Sequence, residues 1–161
     1  MMRLLPLAVL LACSSGSADH TEEYLADFDV HVEEVRTLVA DHAAAVAAAT
    51  TLEDVGALED QYLADWQALY GEMGELMDAM MDECEMDDMA SMDDADAGMM
   101  DMDAAVMDHV DAHATHADVA ECAPEETTHG EEMGMHADDM AGYGDGWHDT
   151  MHCGDGGGHE M

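Results

Sequence analysis

Apolar residues recur along most of this chain in alternating steps of four and three. That spacing puts them on one stripe of an α-helix, and a β-strand, which alternates every two residues, cannot use it. The first stripe runs Tyr24, Phe28, His31, Val35, Leu38, His42, Ala45, Ala49. A second follows a tight break at Thr51, which with Asp54 has the spacing of a capped helix start. It runs Val55, Glu59, Tyr62, Trp66, Leu69, Met73, Leu76, Met80. The third runs Met99, Met102, Val106, His109, His113, His116, Ala120. Pro124 ends it and suits the first turn of the next helix, whose stripe is His129, Met133, His136, Met140, Tyr143, Trp147. The acidic, Met-dotted stretch 82–98 reads as a loop or frayed end, and Gly-rich sequence from Gly142 weakens the last turns.

These stripes predict an all-α fold: an antiparallel four-helix bundle built from two helical hairpins. Helices are expected over about 19–49, 52–82, 99–122 and 125–142, in a domain spanning 19–147. A flexible tether at 13–18 precedes it and a Gly/His-rich tail at 148–161 follows. His42 to Tyr62 and His116 to His136 share one spacing, which suggests a repeat offset by 74 residues. Composition agrees. Ile is absent, Phe occurs once and Trp twice, too few for a large β-rich core, whereas Ala, Met, Leu and Glu favour helices.

Charge narrows the partners. The chain has 40 acidic residues and two basic ones, Arg3 and Arg36, for a net charge of −38. Nucleic acid is excluded, because there are no cations to displace counterions from phosphates. The field attracts cations instead. Adaptation to high salt would also produce such a surface. It would not explain 18 Met and 11 His.

The N-terminus points to export. Met1, Met2 and Arg3 precede an apolar run, Leu4 to Ala12, too short to span a membrane and suited to a signal peptide (1–12). It ends Leu10-Leu11-Ala12-Cys13, which resembles the lipobox of bacterial lipoproteins. The resemblance implies cleavage before Cys13, lipidation of that cysteine and attachment to a membrane in the cell envelope. Ser14 after the cysteine resembles the pattern sorted to the outer membrane, facing the periplasm. Ser14-Ser15-Gly16-Ser17 then forms the tether.

Histidine carries the chemistry. Seven of the 11 His fall on the stripes: His31, His42, His109, His113, His116, His129 and His136. Interior imidazoles pair with carboxylates or bind metal. Counting from the hairpin turns places His42, Glu59, His116 and Met133 at one depth, with His113, Tyr62 and His136 within a turn. His42, Glu59, His116 and His136 are therefore expected to converge on one ion, with His113 a further candidate. His109, Met140 and His31 would form a second layer. Met86-x-x-Met89-x-x-Met92 and Met99-Met100-x-Met102 resemble the Met-rich segments of periplasmic copper-resistance proteins, and Met151-His152-Cys153 groups soft ligands in the tail. Thioether selects Cu(I), so copper ranks first and zinc second.

No enzyme is expected. A di-iron centre needs two Glu-x-x-His pairs, and Glu126-x-x-His129 stands alone. There is no Gly-x-Ser-x-Gly and no phosphate loop. In an oxidising compartment, the up-down order of the helices pairs Cys84 with Cys153 and leaves Cys122 free. Cys84–Cys122 becomes possible if 82–98 folds back. The expectation is a lipid-anchored metal-binding or metal-buffering protein without turnover, its protein partner undefined. The competing expectation is a salt-adapted structural or interaction lipoprotein with no metal, whose stripe histidines are dispersed or paired without a common centre.

Overall fold

A computed structural model describes residues 20–86 and 89–153. The signal segment 1–12, Cys13 with the tether 13–18, residue 19 and tail residues 154–161 lie outside the described residues. Among the described residues four long helices form the bundle: α1 (Thr21–Ala48), α2 (Leu52–Glu83), α3 (Met89–His113) and α4 (Cys122–Trp147). Each helix packs on two neighbours, α1 and α3 both lying between α2 and α4. None of these helices is long and apolar enough to cross a membrane.

Helix α2 starts where its sequence signals. Thr51 Oγ1 accepts from the Asp54 amide at 3.1 Å, and the same hydroxyl donates to the Asp54 carboxylate at 2.7 Å. Its buried face is Val55, Glu59, Tyr62, Trp66, Leu69, Met73, Met77 and Met80. Only Leu76 gives way, to Met77.

The stripe of α1 is rotated from the expected one. Phe28, Val35 and His42 are buried as anticipated, but the alternate positions are Leu25, Val32, Val39 and Val46 rather than Tyr24, His31, Leu38 and Ala45. A seven-residue spacing leaves a choice of flank, and the uniformly aliphatic flank faces the core. His31 therefore lies at the edge, its Nδ1 2.9 Å from Glu34. Helix α4 shows the same choice: Ala137 and Gly144 replace His136 and Tyr143. The small residues fit a close approach to α1. A Cβ on Gly144 would stand 3.2 Å from the Phe28 ring, and Arg36 reaches across from α1 to the Ala137 carbonyl and the Asp138 carboxylate.

Helix α3 departs furthest from expectation. It begins ten residues early, at Met89, because Met92, Ala95, Met99 and Met102 continue one apolar stripe through the acidic stretch. Burying a Met side chain contributes about 1.5–3 kcal/mol, more than the cost of about 1 kcal/mol for the Gly98 that interrupts it. It also ends early. His113 is its last residue, and His116 lies in the turn beyond it. A single 3-10 turn (Val119–Glu121), capped by Asp118, leads into α4. Cys122 thus opens α4 rather than closing α3, and α4 continues past Gly142 to Trp147.

Trp66 and Trp147 anchor the main core with Phe28 and the methionines Met73, Met80, Met92, Met99, Met102, Met133 and Met140. Each indole is satisfied, Trp66 donating to Asp103 and Trp147 to Ser91, both at 2.9 Å. At the hairpin-turn end, Val46, Val55 and Cys122 form a smaller cluster. The opposite end is latched. Cys84 and Cys153 are joined in a disulfide. Beside it, β1 (Glu85–Met86) and β2 (Met151–His152) pair antiparallel, and Cys153 N donates to Thr21 Oγ1.

The disulfide spans a sequence separation of 69 residues. Chain entropy over a loop of that size is worth about 4 kcal/mol. Replacing both Cys84 and Cys153 by Ala should lower stability by about that amount in urea denaturation. The helical content should be unchanged, because the disulfide lies at one end of the bundle and the helices pack along its whole length.

Candidate metal centre

Between the two apolar clusters the bundle interior turns polar. Helix α1 supplies His42, α2 supplies Glu59 and Tyr62, α3 supplies His109 and His113, and α4 supplies Glu126 and His129. All four side chains of the inner set and both flanking histidines are only 4–7 % exposed.

His42, Glu59, His109 and Glu126 each offer one donor atom, all within 4.8 Å of one another. The two Nε2 atoms of His42 and His109 are 3.3 Å apart. His42 Nε2 is 3.3 Å from Glu59 Oε1 and 3.4 Å from Glu126 Oε1. His109 Nε2 is 3.4 Å from that same Glu126 oxygen and 3.8 Å from Glu59 Oε2. Ligands bound at about 2.0–2.1 Å to a tetrahedral ion stand about 3.3–3.4 Å from one another. The His42–His109, His42–Glu59, His42–Glu126 and His109–Glu126 separations, 3.3–3.4 Å, match that spacing, and Glu59 Oε2 to His109 is longer at 3.8 Å.

The surrounding rings fix this arrangement. Tyr62 stacks on His42 with centroids 4.1 Å apart, and His129 stacks on His109 at 4.0 Å. A 2.7 Å hydrogen bond joins the Tyr62 hydroxyl to His129 Nε2. His113 Nδ1 hydrogen-bonds to Glu59 Oε1. Yet Glu59 Oε2, Glu126 Oε1, His113 Nε2 and His129 Nδ1 are buried without a hydrogen-bond partner. Each such group ordinarily costs about 1–3 kcal/mol. Two of them, Glu59 Oε2 and Glu126 Oε1, belong to the converging set, and a cation there would satisfy them.

Protons partly fill that role in the metal-free protein. Burial alone would lower the His42 pKa, but pairing with Glu126 and Glu59 outweighs it and raises it to about 9. Burial would raise Glu126, but His109 and His42 hold it down to about 2. Glu59 is lowered against its burial by His42 and His113. Burial, then the neighbouring His109, depress His129 to about 3 against the opposing charges of Glu126 and Glu59, so it is neutral. Burial, helped by Glu126 and Glu59, keeps the Tyr62 phenol protonated.

A recess of about 140 Å³ between α3 and α4 leads from the surface to His109 and His129, and Asp108, Glu125 and Glu132 line it. These carboxylates give a cation an attractive approach.

The layer is built twice. His42 and His109 are 67 residues apart, and so are Tyr62 and His129. Glu59 and Glu126 share that offset, as do the caps Thr51 and Asp118. The two hairpins thus repeat each other in register, and the matched stacks Tyr62–His42 and His129–His109 show equivalent residues in equivalent contacts. The offset of 74 was wrong by one heptad.

That heptad explains where the expected ligands went. His42 and Glu59 are in the inner set. His109, expected in a second layer, is in the first, and Glu126 takes the place expected of Met133. His113 flanks the set through Glu59. His116 is outside it, grouped with His113 and Cys122. His136 lies ten residues beyond Glu126, about 15 Å along the helix, and is not in the set. Met133, about 10 Å along α4 from Glu126, lines a recess with Arg36 and Val39. Met140 packs in the main core. His31 joins Glu34 and Glu72 in a surface group. Cys153 is committed to the disulfide, which removes its thiolate from the group Met151-His152-Cys153. Glu126 is visible in the sequence only in an isolated Glu-x-x-His pair, and His129 as a stripe histidine with no assigned ligand role. The recurrence of His-x16-Glu-x2 at 42–62 and 109–129 is the signal that would have found them.

No protein family, characterised protein or solved structure matches the chain, so the chemistry of the centre rests on its own geometry.

Proton competition follows from the His42 and Glu126 shifts. Without metal, the charged His42 contributes stability that is complete below pH 6.5 and is lost as pH rises through about 9. The Glu126 contribution is present above pH 4.5 and is lost as pH falls through about 2. At pH 7 a metal must displace the His42 proton. Calorimetry in buffers of different ionisation enthalpy should show about one proton released for the ion bound at His42. Affinity should rise about tenfold per pH unit from 7 towards 9.

Proposed function

We propose that this chain binds and holds a divalent transition-metal ion in the bundle interior, without turnover. The observation that carries the reading is the convergence of donor atoms from His42, His109, Glu59 and Glu126 within 4.8 Å of one another, in a layer where Glu59 Oε2 and Glu126 Oε1 are buried without a hydrogen-bond partner. Four protein donors, one from each helix, close the coordination sphere, as in storage or structural sites rather than open catalytic ones. The donors are imidazole nitrogen and carboxylate oxygen, which suit Zn2+ and Cu2+. The case for copper over zinc rested on thioether ligands. Met92, Met99, Met102, Met133 and Met140 pack in the apolar core instead, so at this centre zinc has at least an equal claim.

The same proposal places the protein in the cell envelope, anchored through lipid on Cys13. The lipobox-like Leu10-Leu11-Ala12-Cys13 supports it, and so does the Cys84–Cys153 disulfide, a bond typical of oxidising compartments. There the acidic surface would gather cations and the interior layer would buffer them.

Titration of the chain with Zn2+ and Cu2+ tests this. With free metal at about 100 times Kd, binding should stabilise the fold by about 2.7 kcal/mol, raising the thermal midpoint by about 5–10 °C. The double variant His42→Ala/His109→Ala should lose most of that gain while remaining helical. A midpoint that responds equally to sodium chloride and to either metal would leave a salt-adapted structural protein.

A further inference from the structure

The first hairpin supplies an internal control for the second, and the two differ sharply at one place. Towards the hairpin turns from Glu126, His113, His116 and Cys122 each bring one donor atom within 4.8 Å of the others. Their counterparts 67 residues earlier are Val46, Ala49 and Val55. Those three belong to the small apolar cluster at this end of the bundle, which Cys122 also joins. Packing here is therefore met by hydrocarbon in one hairpin. In the other, all three equivalent positions carry residues able to bind metal.

That exchange has a cost that packing does not repay. His113 Nε2 and His116 Nε2 are both buried with no hydrogen-bond partner. Cys122 is fully buried and is not in a disulfide. The rings of His113 and His116 are 5.2 Å apart, centroid to centroid, and His113 is steadied from its other side by Glu59. His113 Nε2 lies 3.5 Å from Glu126 Oε1 without hydrogen-bonding geometry, and the donor atoms of His113, His116 and Cys122 converge beside Val46 and Val55, which pack with Cys122.

We propose that His113, His116 and Cys122 form a second metal site, separate from the four-helix centre and selective for a thiophilic d10 ion, Zn2+ or Cu+. Thiolate with two imidazoles is a softer set than imidazole with two carboxylates. On binding, the Cys122 proton leaves to solvent and the thiolate coordinates in its place. The His113–Glu59 hydrogen bond links the two sites, so the bundle holds a harder and a softer centre one above the other.

Co2+ is the probe, because thiolate coordination gives it an intense near-ultraviolet charge-transfer band that imidazole and carboxylate do not. The full chain should take up two equivalents, one of them bringing the band. Cys122→Val, which installs the first hairpin's residue, should lose the band and one equivalent while keeping helicity and the other equivalent. Cys122→Ser should do the same, so a packing fault in either variant does not decide the result. His42→Ala/His109→Ala should keep the band and lose the other equivalent. Displacement of the band by one equivalent of Zn2+ or of Cu+ identifies the preferred ion. The second site is overturned if the unaltered chain shows no thiolate band at saturation, or if Cys122→Val still binds two equivalents. One band-free equivalent that depends on His42 would overturn it while leaving the four-helix centre intact.

Discussion

Two carboxylates buried at the centre of a four-helix bundle constrain everything around them. Taking Glu59 and Glu126 out of water costs several kcal/mol each, and only a close positive charge offsets it. In a chain with almost no Lys or Arg, that charge has to come from imidazolium or from a metal. His42, raised by its pairing with both carboxylates, provides the first, and His42 and His109 are both placed to ligate the second. The apolar layers follow from the same constraint. Trp66, Val39, Val106 and Met133 close the polar layer on one side, and Val46, Val55 and Cys122 close it on the other. Without that exclusion of water the charges would be screened and the geometry lost. The bundle can place its disulfide and short β-ladder at the far end because the polar layer lies near the turns.

Much of this was legible in the sequence, and the errors have a common physical origin. The four stripes carried the fold, and the Thr51 cap located the start of α2. Two things were not decidable from periodicity. One was the flank: with Phe28, Val35 and His42 set, either Leu25–Val32–Val39 or Tyr24–His31–Leu38 completes a stripe, and only packing against α4 separates them. The other was the height. A stripe looks the same after a shift of seven residues, so it identifies which face is buried and not how far along the axis each residue sits. Height is set by the turns. The sequence sets the α3–α4 turn by Pro124, whereas α3 ends at His113 and Pro124 falls inside the first turn of α4. Shifting that turn by one heptad exchanges His116 for His109 and Met133 for Glu126.

The repeat at 67 residues gives the molecule an economical logic. Two hairpins of one design meet face to face, and each contributes a histidine, a carboxylate and a stacking ring to a shared layer. Differences between them stand out as departures from a common plan: Tyr62 against His129, Trp66 against Met133, and Val46, Ala49 and Val55 against His113, His116 and Cys122. The first hairpin is the more apolar, and its helix α2 matched the sequence reading best. The second carries most of the histidines and the free thiol, and its density of polar groups is why its helices were harder to read.

Arg36 has a consequence of another kind. It is one of two basic residues in the chain, and Arg3 lies outside the described residues. A trypsin-like protease therefore finds a single cleavable bond in the whole folded body. That bond sits in the middle of α1, and the guanidinium is engaged by Asp138 on the neighbouring helix at 2.8 Å. Cutting there requires α1 to peel away from α4, which also dismantles the layer that His42 shares with Glu126. Proteolysis at one peptide bond thus reports directly on opening of the bundle, and an occupied centre would lengthen the life of that bond.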